Sequence, residues 1–208
     1  MDLIFDFDGT LVNSFPSAML AFNRVAVQLG FAQIALDEID NLRDLSSQEL
    51  IDYLQVPRYK IPRMILQARK EMNKEIGKML PIAHLTPVLK TLKADGISLG
   101  ILTSNSQKNV TEWLESQQIA DLFNFIQIET SYFGKARVLK KLLAAQHIDR
   151  EHAFYIGDET RDIEAAKQCN IYSVAVTWGF NSEKVLSQYN PHHIVRKPAD
   201  ILAICKAT

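Results

Sequence analysis

Two carboxylates stand where the first buried strand of this chain should end. Leu3, Ile4, Phe5 and Phe7 form an apolar run within MDLIFDFDGT, broken by Asp6 and Asp8 and closed by Gly9 and Thr10. Such a run bounded by glycine predicts a buried strand over 3–7. An unpaired buried charge is costly, so buried acids are paired or bind a metal. In open α/β sheets, ligand sites lie outside the carboxyl ends of the strands. Two carboxylates two residues apart at such an end suit a hard cation such as Mg²⁺. They also suit a nucleophile with a proton carrier beside it. Asp-Gly also caps turns, which would account for Asp8 and leave Asp6 without a role.

The next strand-like segment comes late. Helical signals fill the interval: an apolar stripe from Phe15 to Leu29 closed by Gly30, a short segment over 36–42, a Ser46/Glu49 capping box, and a stripe from Ile61 to Met79. From residue 86 onward, helices alternate with strands over 97–102, 123–128, 153–156, 171–176 and 193–195, which implies a parallel sheet with right-handed crossovers. A crossover needs little more than a dozen residues, so most of the first interval is surplus. The expected architecture is an α/β core of residues 1–13 and 81–208, with residues 14–80 inserted as an all-helical cap. Lids of this kind exclude water and complete a site.

Three further groups carry polar chemistry. Thr103, Ser104 and Asn105 follow an apolar strand, where hydroxyls and backbone amides suit an anion and where Ser104 or Asn105 equally suits a helix cap. Asp158, Glu159 and Asp162 lie in GDETRD after another strand; Asp158 and Asp162, four apart, share a helix face, and acids in a first turn also favour the helix dipole. Lys135 stands near a helix start, where that dipole disfavours it, unless it pairs with carboxylates and a phosphate. In the cap, Arg43 offers a bidentate partner for a substrate carboxylate, or is a solvated surface residue. Trp178, Gly179 and Phe180 line the rim or pack in a turn.

Composition narrows the classes. The chain has 208 residues, and 23 Lys and Arg against 24 Asp and Glu leave a net charge of −1, which gives no reason to expect nucleic-acid or membrane-surface binding. Two cysteines form no disulfide framework, consistent with a reducing cytoplasm. No apolar run reaches bilayer length, and the first residues lack the basic start of a signal peptide.

Taken in order, DFDGTLVNS, ILTSN, Lys135 in FGK and GDETRD resemble the four motifs of the haloacid dehalogenase superfamily, in its phosphoglycolate phosphatase-like branch. Ala136 follows Lys135 where relatives often carry proline. The resemblance implies a three-layer Rossmann-like sheet in the order 5-4-1-2-3. It implies Asp6 as nucleophile forming an aspartyl-phosphate, Asp8 as acid and base, and Lys135 neutralising the cluster. Thr103, Ser104 and Asn105 would hold phosphate. Mg²⁺ would be held by Asp6, the Asp8 carbonyl and Asp158, with Glu159 or Asp162 supporting its water. The expected activity is hydrolysis of a small soluble phosphoester by a monomer or homodimer. A phosphomutase of the β-phosphoglucomutase kind shares every core motif. A receiver-type signalling module has no substrate for an insertion to cover, and a dehalogenase has no need of the acid Asp8 supplies.

Overall fold

The computed structural model describes residues 1–129 and 134–207. Six parallel strands form one sheet in the order β3-β2-β1-β4-β5-β6: β1 Asp2–Phe5, β2 Ser98–Thr103, β3 Phe125–Ile128, β4 Ala153–Gly157, β5 Tyr172–Val176 and β6 His193–Val195. The first five follow the expected order, and β6 extends the sheet beyond β5. Winding reverses at β1, which pairs with β2 on one side and β4 on the other. The switch point therefore lies at the end of the strand that leads into Asp6.

Alternation along the strands builds the three layers. Leu3, Phe5, Leu99, Ile101, Phe154 and Ile156 face one way and pack with α5 (Leu85–Ala94), α6 (Gln107–Ser116) and α10 (Ala199–Ala207). Ile4, Leu102, Ala153 and Tyr155 face the other way, towards α7 (Lys135–Ala145) and α8 (Thr160–Gln168). Burial on both faces is the rule for a parallel sheet.

The interval after β1 is helical: α1 Phe15–Leu29, α2 Ile39–Arg43, α3 Ser47–Tyr53 and α4 Ile61–Asn73. Gly30, at φ +73°, ends α1 in the left-handed conformation that glycine adopts without strain. Ser46 and Glu49 form the capping box that opens α3. Phe22, Val25, Leu42, Val56, Ile61 and Met64 form a separate apolar cluster, whereas Ile76 and Met79 join the sheet's own core. The two connections to the sheet pair with each other. Asn13 N–H donates to Leu80 O at 2.9 Å, and Ile82 N–H donates to Leu11 O at 3.0 Å. The Trp113 indole donates to Met79 O at 2.8 Å and secures this neck from below.

Candidate active site

The acids converge at the carboxyl end of β1 and β4. Asp6 continues the β1–β4 ladder, its N–H donating to Ile156 O at 2.8 Å, and its side chain is 2% exposed. Asp158 follows β4 and is fully buried. Asp162 sits in the first turn of α8, where its Oδ2 accepts from Glu159 N–H at 3.0 Å and so closes the helix start. One carboxylate oxygen from each of Asp6, Asp158 and Asp162 lies within 4.8 Å of the others.

Lys135 is the cation of this cluster. Its Nζ stands 2.5 Å from Asp162 Oδ1 and 3.1 Å from Asp6 Oδ2, which explains why a lysine opens α7 against the helix dipole. Burial pushes its pKa down, but Asp162 and Asp6 outweigh that and hold it well above the usual lysine value. One ammonium does not balance three acids. Burial raises the Asp6 carboxyl to about 7, with Lys135 opposing the rise. Burial also raises Asp158 well above the carboxylate range, and Glu159, Asp6 and Asp162 add repulsion. Among the described residues, Asp158 receives dipoles: the Thr10 hydroxyl donates to Oδ1 at 2.6 Å and Phe180 N–H to Oδ2 at 2.7 Å. An all-oxygen set of buried carboxylates with too little positive charge fits a hard divalent cation.

Glycines make the enclosure possible. A Cβ on Gly9, at φ +79°, would stand 2.3 Å from Asp158 Oδ2, and one on Gly179 would stand 2.1 Å from the same atom. The backbone must therefore come closer to this carboxylate than any side chain allows.

Asp8 lies apart from the three acids. Asn105 Nδ2 donates to its Oδ2 at 2.9 Å, while its buried Oδ1 meets the hydrogen-bond geometry with none of the described residues. Burial raises its pKa, and the Asn105 bond acts against the rise. Asn105 is itself fixed: its N–H donates to Thr103 Oγ1 at 3.0 Å, and its Oδ1 accepts from Ser106 N–H and Asn109 Nδ2. Neither Ser104 nor Asn105 caps α6. Ser106 does, accepting from Asn109 N–H, which leaves Asn105 for Asp8. Glu159 is bound to Arg161, whose Nε lies 2.9 Å from Oε1. Phe133 of the FGK motif lies outside the described residues.

A cavity of about 240 Å³ has Asp8, Ser104, Arg43, Arg69, Arg161 and Asn181 in its wall. Asp6, Thr103, Lys135 and Asp158 are not part of that wall. Arg43 reaches the wall but uses Nη2 on the core, donating to Thr177 O at 3.2 Å and Gly179 O at 2.9 Å. Its buried Nε has no hydrogen-bond partner.

The segment after β5 does more than line a rim. Phe180 N–H holds Asp158, and Asn181 N–H donates to Asp158 O at 3.2 Å. The Asn181 side chain accepts from Thr160 N–H at 2.9 Å and donates to Leu45 O at 2.8 Å. Ser182 N–H donates to Arg43 O, and its hydroxyl donates to Asp44 Oδ1 at 2.5 Å. Sequence reasoning missed Thr10 and Asn181. Only the turn-rich TWGFNS run after a strand hinted at the latter.

The chain is similar to known proteins over most of its length. The sequence model of the family described as haloacid dehalogenase-like hydrolase matches residues 3–176. The phosphoglycolate phosphatase of Synechococcus elongatus is 34% identical over 96% of this chain and 94% of its own length. That of Vibrio cholerae is 28% identical over 92% and 91%. A haloacid dehalogenase-like hydrolase from Streptococcus pneumoniae shares the fold, with a TM-score of 0.82 at 24% identity over 98% of this chain and 97% of its own. With its motifs gathered at the switch point of a parallel sheet, the chain belongs to the haloacid dehalogenase-like hydrolase family, as a phosphoglycolate phosphatase-like hydrolase of phosphoric monoesters.

Proposed function

We propose that the chain hydrolyses a small soluble phosphoester of the phosphoglycolate kind through a phosphoryl group carried on Asp6. The observation that carries this reading is a pair of carboxylates two residues apart in different settings: Asp6, buried beside Lys135, and Asp8, in the wall of the cavity. The Asp6 carboxylate attacks phosphorus, the bond to the ester oxygen breaks, and Asp8 gives that oxygen its proton. Asp8 then takes a proton from the water that attacks the phosphoryl group, and Asp6 is released. The raised Asp8 pKa favours the protonated form the first step needs. Lys135 offsets the repulsion between an anionic nucleophile and an anionic substrate. Thr103, Ser104 and Asn105 hold the transferring group and Asp8 around it.

Asp6, Asp158 and the Asp8 carbonyl would hold Mg²⁺, with Asp162 beside them supporting its water. When bound, the ion supplies Lewis-acid stabilisation of the phosphoryl oxygens. In this reading residues 14–80 form the lid over a core of 1–13 and 81–208, and the Arg43 guanidinium meets the substrate carboxylate. No helix among the described residues is long and apolar enough to cross a membrane, which suits a cytoplasmic enzyme acting on a soluble metabolite.

Acid quenching during turnover of labelled phosphoglycolate tests the mechanism. Label is expected on Asp6 and absent from Asp6→Asn. Wild-type turnover by Asp6→Asn would refute it.

A further inference from the structure

The wall of the cavity is divided by chemistry. Asp8 and Ser104, which follow β1 and β2, give it a polar wall, while Phe22, Ile34, Leu42, Met64, Ile65 and Ala68 from the helical insertion give it an apolar one. The apolar side continues the insertion's own core, since Phe22, Ile34, Leu42 and Met64 all belong to its cluster. A dry apolar cavity of about 150 Å³ already accommodates a benzene ring, so 240 Å³ exceeds the needs of a two-carbon alcohol beside a phosphoryl group. A short, fully charged leaving group would leave water against these six side chains, and displacing that water is favourable in proportion to the apolar area covered.

We infer that the site takes, beyond the phosphoglycolate-type esters of that reading, phosphomonoesters whose alcohol carries an apolar group several carbons long, seated against α1 and α4. The inference rests on the phosphatase reading for the position of the phosphoryl group, at the Asp8 and Ser104 wall. A monoester anchored there meets the apolar side chains of the insertion on the same cavity wall. The additional substrate class is thus a phosphomonoester of an aliphatic or aromatic alcohol, and an anionic group that meets Arg43 would lie near its head.

A series of n-alkylphosphonates from ethyl to hexyl, titrated calorimetrically with Mg²⁺ present, tests this without requiring turnover. Affinity is expected to rise roughly fourfold per methylene, about 0.8 kcal/mol each, and to level off once the cavity is filled. Ala68→Phe, which occupies the apolar side from α4, should bring the levelling to shorter chains. Equal or falling affinity along the wild-type series would overturn the inference. Turnover of p-nitrophenyl phosphate and phosphoglycolate is measured in parallel. Its absence would refute the phosphatase reading, and the chain-length result would still decide whether the apolar side binds carbon chains.

Discussion

Asn181 donates its side-chain amide to the carbonyl of Leu45 at 2.8 Å, joining residues 136 positions apart in sequence. The same side chain accepts from Thr160 N–H, and the same residue's N–H reaches Asp158 O. The insertion and the acid centre are thus held by one residue. Asn181→Ala leaves a buried donor and a buried acceptor without partners, at about 1–3 kcal/mol. For a chain of this size the melting temperature should fall by roughly 2–12 °C, and KM should rise because the helices are less firmly seated. An unchanged thermal melt would show that the bridge contributes nothing.

Lys135 is the only cation paired with Asp6 among the described ion pairs. Lys135→Met keeps most of the length and removes the charge. Phosphatase activity should fall by at least about 10²-fold, the scale for losing one preorganised electrostatic group. Metal-free Asp6 should also titrate above its present value of about 7, because the ammonium is what lowers it. A direct measurement of the Asp6 carboxyl by NMR checks the second effect independently of turnover.

Stability and metal should be linked through pH. Asp6 keeps a proton in the folded state up to about 7, whereas its ordinary value is 3.8. Between these values the native state binds more protons than the unfolded chain, so stability falls as pH rises. Asp158 acts in the same direction. Metal-free protein should therefore melt lower at pH 8 than at pH 5.5. Mg²⁺ requires ionised ligands and should raise the melting temperature more at pH 8. A Mg²⁺ effect of equal size at both pH values would argue against these acids as ligands.

Asn105 stabilises the charged form of Asp8 through its 2.9 Å bond. Asn105→Ala removes that donor and should move the pKa of Asp8 further up. The pH profile of phosphoryl release from the enzyme, in which Asp8 acts as a base, should shift to higher pH. If Asn105 only orders the loop, the rate falls and the profile stays in place.

The acids were legible in sequence because a buried charge needs a reason, and the late second strand exposed the insertion because a crossover is short. Boundaries were less legible. The strand after Gly96 begins at Ser98, since Ile97 N–H still closes the preceding helix on Leu92 O. The α6 cap belongs to Ser106 because its own backbone is extended, at φ −77° and ψ 147°, a conformation the residue types alone do not reveal. Thr10 and Asn181 escaped for another reason. They act on Asp158, or through it, across 148 and 23 positions, and such long-range partners leave no periodic trace. Arg43 was read as either a ligand or a solvated cation, while the structure gives it a third use on the carbonyls of Thr177 and Gly179.

The neck where Leu11 and Asn13 bond to Leu80 and Ile82 has a consequence for how such a protein can change. Because the chain leaves and returns at one hydrogen-bonded point, the residues between are, for the connectivity of the sheet, a single closed loop. Loop-closure entropy grows only with the logarithm of length, so an insertion of another size or shape could be grafted onto the same neck at little thermodynamic penalty. The length of the segment between these strands can therefore change without altering how the sheet is connected.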